Sequence, residues 1–245
     1  MFMNNKNKIK NFILDNISSH EKNIVQAAIN KFGVSRQAIH RHMINLIKEN
    51  KVVAYGNTKG RYYKLIPLVN YSKTIDIKNH NNSRSFLEEF IIPHINSLPR
   101  NIYEIFEYSA GSLFNNIIDH ANATKVYFKI YINYDEAHFI LTDNGIGLFE
   151  KICKGLNLSN TQLAAFELAK GNITTDPKNH SGDELNTIIH FFDLAIIDSA
   201  KKSLVYSNDK NHWEINNSVH KQGTRIHLKI NPKSNRTCAD IFYKI

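Results

Sequence analysis

Apolar residues recur along this chain with two periods, and the places where the period changes divide it into elements. Ile9, Phe12, Ile13 and Leu14 cluster at helical spacing within Asn5–Asn16, and Ile24, Ala28, Ile29 and Phe32 share one face of a second helix from about His20 to Phe32. Gly33 supplies a tight turn. A third helix follows in Val34–Asn50, with Ile39, Met43, Leu46 and Ile47 as its buried stripe and Ser35, Arg36, Gln37, His40 and Arg41 on the other face. Two short strands are expected in Lys51–Leu65, around "GNTKG". Residues 71–84 are polar, contain "NHNNS" and read as a linker. A helix is expected from Ser85 to about His94, bent or ended by Pro93. A longer one starts after Pro99, with Phe106, Ala110, Leu113, Ile117 and Ala121 buried.

The period then drops to two. Val126, Phe128, Ile130 and Ile132 alternate with Lys125, Tyr127, Lys129 and Tyr131, as a half-buried strand requires. Four turn-like residues, Asn133–Glu136, lead into a second strand, Ala137–Thr142, which ends in "DNGIG" (Asp143–Gly147). Helices at Asn160–Lys170 and in "NTIIHFFD" precede strands at about Leu194–Asp198, Ser203–Tyr206, His212–Ile215 and Thr224–Ile230. Trp213 reads as a core or edge aromatic of one of these strands. The fold class is α+β.

Chemistry-bearing residues gather at the ends of these elements. Ser112, Asn116 and His120 are four apart and so share one helix face. After them come "DNGIG", then "HSG" (His180–Gly182), then "GT" (Gly223, Thr224). Singly each is weak, because Asp-Asn-Gly also marks ordinary turns. In this order, after a helix and a hairpin, they resemble the GHKL (Bergerat-fold) ATP-binding superfamily of gyrase and histidine kinases. The resemblance implies an α/β sandwich, a mixed sheet with helices on one face, over residues 85–245. It implies ATP or ADP with magnesium as cofactor, held along the face of Ser112, Asn116 and His120, with Asn116 as the metal ligand. Asp143 is expected to accept a hydrogen bond from the adenine amino group. Gly145 and Gly147 are expected in the loop beside the nucleotide, Gly182 at the phosphates and Thr224 at the floor of the adenine pocket. Leu148–Ser181 corresponds to the family's lid.

Charge singles out the other end. Residues 1–70 hold twelve Lys and Arg against three Asp and Glu, whereas the remainder balances, so the whole formal excess of +9 lies in the first 70 residues. A one-domain excess is the footprint expected of phosphate-backbone binding. Helix, Gly turn, helix opening on Ser-Arg-Gln and then a hairpin resemble the winged helix-turn-helix of bacterial regulators. In that geometry the second helix of the motif enters the major groove. Ser35, Arg36, Gln37, His40 and Arg41 would then face duplex DNA, with Arg36 and Gln37 suited to guanine and adenine. Lys59 and Arg61 would meet phosphates from the wing. The competing reading is a winged helix used only for protein contacts.

The combination looks like a family of bacterial winged-helix proteins with a histidine-kinase-like ATPase domain. Its members commonly carry a C-terminal STAS-like domain, which is expected to be absent here: "NRTCADIFYKI" resembles only its beginning. Two departures bear on activity. The family's hydrolytic members place a Glu four residues before the magnesium Asn, where this chain has Ser112, a poor general base. The second glycine box reads Gly182-Asp183-Glu184, setting carboxylates where the backbone should approach phosphate. Efficient ATPase activity is therefore not expected.

The remaining composition narrows the setting. Apolar residues make up 42% of the chain, and no apolar run approaches the ~20 residues of a membrane span. The start has no apolar stretch of signal-peptide length. Two cysteines make no disulfide framework, and the twelve histidines show no metal-ligand spacing. These features point to a soluble cytoplasmic protein without membrane partners. Three functions stay open: a DNA-binding regulator with a degenerate nucleotide-binding domain, an active ATPase or anti-sigma-type serine/threonine kinase acting on a STAS-like partner, and a protein-interaction module that binds neither DNA nor nucleotide.

Overall fold

A computed structural model describes residues 2–57, 60–171 and 184–239, with side chains from Asn7 onward. Contacts divide the chain into two compact units. One comprises Met1–Val69 with the turn Ile132–Glu136, the other Asn70–Tyr131 with Ala137–Ile245.

The first unit contains α1 (Phe2–Asn16), α2 (Ile24–Phe32) and α3 (Arg36–Lys48), followed by β1 (Val52–Tyr55) and β2 (Tyr62–Leu65). α2 begins four residues later than its apolar spacing predicts, because the chain turns through residues 17–23 before the ladder starts. Gly33 ends α2 in the left-handed region at φ +63, with its N–H donating to the Ile29 carbonyl. Ser35 caps α3, its Oγ accepting from the Ala38 N–H at 3.2 Å. Ile13, Ile17, Ile24, Ala28, Ile39, Met43, Leu46 and Val52 form a buried apolar core. Ile47, expected in that stripe, is instead 37% exposed. It lies one step round the helix from Leu46, past the face that Ile39, Met43 and Leu46 share. β1 and β2 pair antiparallel, with Tyr55 opposite Tyr62 and the two rings stacked at 5.1 Å.

The second unit is built on a seven-stranded sheet. Its strands are β3 (Val69–Asp76), β4 (Lys125–Ile132), β5 (Ala137–Asp143), β6 (Leu194–Ser199), β7 (Lys202–Ser207), β8 (His212–Asn217) and β9 (Thr224–Ile230), in the order β3-β4-β5-β9-β6-β7-β8. From β5 across to β8 every pair is antiparallel, where the family resemblance implies a mixed sheet. The expected linker at 71–84 is also corrected: most of β3 lies there, on the sheet edge. Within β3 Ile75 alone is fully buried, so its sequence carries too little apolar alternation to announce a strand.

The helices of this unit are α4 (Ser83–Phe86), α5 (Ile92–Ile95), α6 (Arg100–His120), α7 (Leu148–Gly155), α8 (Thr161–Lys170) and α9 (Glu184–Phe191). Between α4 and α5 the chain makes a π-helical turn, Leu87–Ile91, just before Pro93. Pro93 has no N–H to offer the usual ladder, and the wider turn carries the helix past it. α6 lies close to this turn through Gly111, where an added Cβ would stand 3.1 Å from Leu87 Cδ1. Phe106, Ala110, Leu113 and Ile117 are buried along α6 as expected. Phe86 stacks on Phe114 of α6 at 4.1 Å and meets Phe128 of β4 edge-on at 5.3 Å, joining helices and sheet in one core. Trp213 sits half-buried on the edge strand β8, packed against Tyr206 at 4.7 Å. Among the described residues no helix is long and apolar enough to cross a membrane.

Candidate functional site

β5 ends at Asp143, and the loop Asp143–Gly147 turns from it into α7. The Asp143 side chain lies beneath this loop, 5% exposed. Its Oδ1 accepts from the Gly145 N–H at 2.7 Å and its Oδ2 from the Thr224 N–H at 3.2 Å. Burial pushes the carboxyl above the ordinary aspartate range, while those two N–H groups and the charge of His220 pull against it. A carboxylate has about four acceptor positions, so these bonds, with one from its own N–H, do not use them all.

Glycine is required around it by close approach. A Cβ on Gly145 would lie 2.0 Å from the Ala121 carbonyl oxygen at the end of α6, which also accepts from the Ile146 N–H. Gly223, at φ +69, passes so close to β5 that a Cβ would fall 2.0 Å from the Asp143 carbonyl oxygen. Gly147, at φ +84, is the N-cap of α7 and has no side chain with which to cap it. The open N–H groups of α7 are met from elsewhere: Leu148 donates to Thr224 Oγ1 at 2.9 Å and Phe149 to Ser199 Oγ at 3.4 Å. Asn144 ties the loop to β4, its Oδ1 accepting from the N–H groups of Thr124 and Lys125.

Asp143, Gly145 and Thr224 are thus drawn into one hydrogen-bonded cluster, although Asp143 and Thr224 are far apart in sequence, and Gly147 packs beside it against Ser199 and Gly223. Asn116 and His120 lie half-buried on α6, whose end abuts the same loop through Ala121. Ser112, one turn before Asn116, is 7% exposed, and its buried Oγ makes no hydrogen bond among the described residues. Glu184 opens α9 and, after burial, is the next influence raising the phenol pKa of Tyr108, one further turn back on α6. Gly182 and the end of the expected lid, residues 172–181, lie outside the described residues.

Three participants escaped the sequence reading. Ser199 and Ala121 contribute one hydroxyl and one carbonyl through tertiary contact, which no local pattern announces. His220 is the third. Its Nε2 is buried without a hydrogen-bond partner among the described residues, and burial, then Arg225, lower its pKa.

In the first unit, Arg36, Gln37 and Arg41 are exposed on α3 and Arg61 is exposed before β2, while His40 is half-buried. Ser35, also expected among the DNA-facing residues, is exposed, and its oxygen caps α3 while the hydroxyl proton stays available to donate. Lys59 lies outside the described residues. A scan against models of known protein families and a search of curated proteins returned no match.

Proposed function

We propose that this chain is a DNA-binding regulator whose second unit is a GHKL-type nucleotide-binding domain used for switching or partner recognition rather than hydrolysis. One observation carries the nucleotide reading: the buried Asp143 carboxylate is fixed by the Gly145 and Thr224 N–H groups with acceptor capacity to spare. An amino-bearing planar ring is the complement of such a group. Thr224 Oγ1 accepts from Leu148 and keeps its own proton to donate beside it. Asn116 and His120 would face magnesium and phosphates from α6, as the family resemblance implies.

Hydrolysis needs a group near the γ-phosphate that takes a proton from water. Ser112 occupies the position of the family's Glu, and its hydroxyl is both weakly basic and shut away from solvent. The acidic Glu184 opposes triphosphate where the family has glycine. This favours binding over turnover and makes an active ATPase or serine/threonine kinase the weaker reading.

The DNA reading rests on the localised +9 and on the exposed Arg36, Gln37 and Arg41 of α3. It is tested by fluorescence anisotropy of a labelled duplex against the full chain at rising salt. Affinity should fall steeply, since counterion release drives such binding. Arg61→Ala should weaken all sequences alike and reduce the salt slope by about one, whereas Arg36→Ala should relax sequence preference. Absence of binding at low salt would leave the first unit as a protein-contact module.

A further inference from the structure

The outward face of the sheet carries a depression of about 360 Å³, lined by Ile140, Ile196, Asp198, Ser203, Arg225 and His227. Cross-strand register assembles it. His227 of β9 stands between Ile140 of β5 and Ile196 of β6, while Arg225 stands opposite Asp198, which in turn faces Ser203 of β7.

Its polar groups are fixed in advance. The Asp198 side chain is 5% exposed and accepts from Arg225 Nε at 3.0 Å and Nη2 at 2.7 Å. Arg225 nevertheless keeps 43% of its side chain exposed, so a buried carboxylate orients a guanidinium that solvent still reaches. Beside it, His227 Nε2 and His138 Nδ1 share a hydrogen bond of 2.8 Å. Burial, followed by His138, Arg225 and Lys229, holds His227 down to about 4, so its ring is neutral near pH 7.

Two neighbouring imidazoles suggest a metal, but Arg225 and Lys229, which together outweigh the opposing Asp198 in disfavouring a proton on His227, disfavour a divalent cation more strongly. The complementary charge is negative. A guanidinium fork suits a carboxylate, and the Ile140 and Ile196 walls suit an apolar body attached to it. We propose that this depression binds a small organic carboxylate, its oxygens on Arg225 and the His227 ring and its apolar part between Ile140 and Ile196. Side chains alternate along β9, so Arg225 faces this depression while Thr224 faces Asp143 on the opposite side of the sheet. An occupant here therefore sits back to back with the Asp143 cluster through one strand, yet the proposal does not depend on what that cluster binds.

The test is NMR titration of the full chain with benzoate, with neutral benzamide as the isosteric control, following the His227 ring and Arg225 Nε–H signals. Benzoate should give saturable shifts with a Kd of about 1 mM, the range a few oriented contacts supply, and benzamide should give none. Ile140→Glu, which places a carboxylate in the depression, should abolish the shifts. Arg225→Lys keeps a cation beside Asp198 but loses the fork, and should weaken binding at least about fivefold. No saturable shift by about 10 mM benzoate, equal binding of benzamide, or wild-type affinity in both variants would overturn the proposal.

Discussion

Gly223 and Asp143 show how little latitude single residues have at the candidate site. A side chain at Gly223 meets the Asp143 carbonyl oxygen at 2.0 Å from a backbone already at φ +69, so steric and conformational costs add. Gly223→Ala should destabilise the second unit by at least about 2 kcal/mol, read as a lower denaturant midpoint at unchanged slope. His227 gives a pH signature. Its folded pKa of about 4 lies below its ordinary value of 6.5, so the unfolded chain binds the extra proton between those values. The stability concerned is fully present above pH 6.5 and is lost as pH falls through that window. After allowance for the ring's partial exposure, the loss should be about 2 kcal/mol by pH 4. His227→Gln should flatten this part of the stability–pH curve, whereas an unchanged curve would remove His227 as its source.

At the scale of elements, legibility followed the apolar period. β4 could be read because each of its inward residues, Val126, Phe128, Ile130 and Ile132, is apolar and nearly inaccessible. β3 could not, because an edge strand with one buried side chain leaves no alternation to find. The π-helical turn was foreshadowed only by Pro93, and the sequence states that the ladder must break there but not how the chain adjusts. The Asp143 loop was legible because its glycines are dictated by close backbone approach, a requirement that the motif itself carries. Its supports were not, since Ser199 Oγ and the Ala121 carbonyl are supplied by elements distant in sequence. Element ends are equally testable. Ser35→Ala removes the acceptor for the Ala38 N–H and should cost the first unit about 1 kcal/mol, measured by chemical denaturation. If Ser35 served only DNA contact, stability would not change and affinity alone would fall.

At the scale of the whole molecule, a strongly cationic helical unit, +7 with Asp135 and Glu136 of its turn counted, and a sheet unit of only +2 are joined in one chain. The proposed regulator assigns phosphate-backbone binding to the first and nucleotide binding to the second. Its central claim is that Asp143 holds an adenine ring while the phosphate end, with Ser112 and Glu184 in place of the family's residues, contributes little. Calorimetric titration of the full chain with ADP and with ATP, each with magnesium, tests this most directly. Both nucleotides should bind weakly, with dissociation constants within about tenfold of each other (~1.4 kcal/mol). Asp143→Ala should abolish both, and no phosphate should be released from ATP. Binding that survives Asp143→Ala, ATP held far more tightly than ADP, or sustained phosphate release lost in Asn116→Ala would contradict the account.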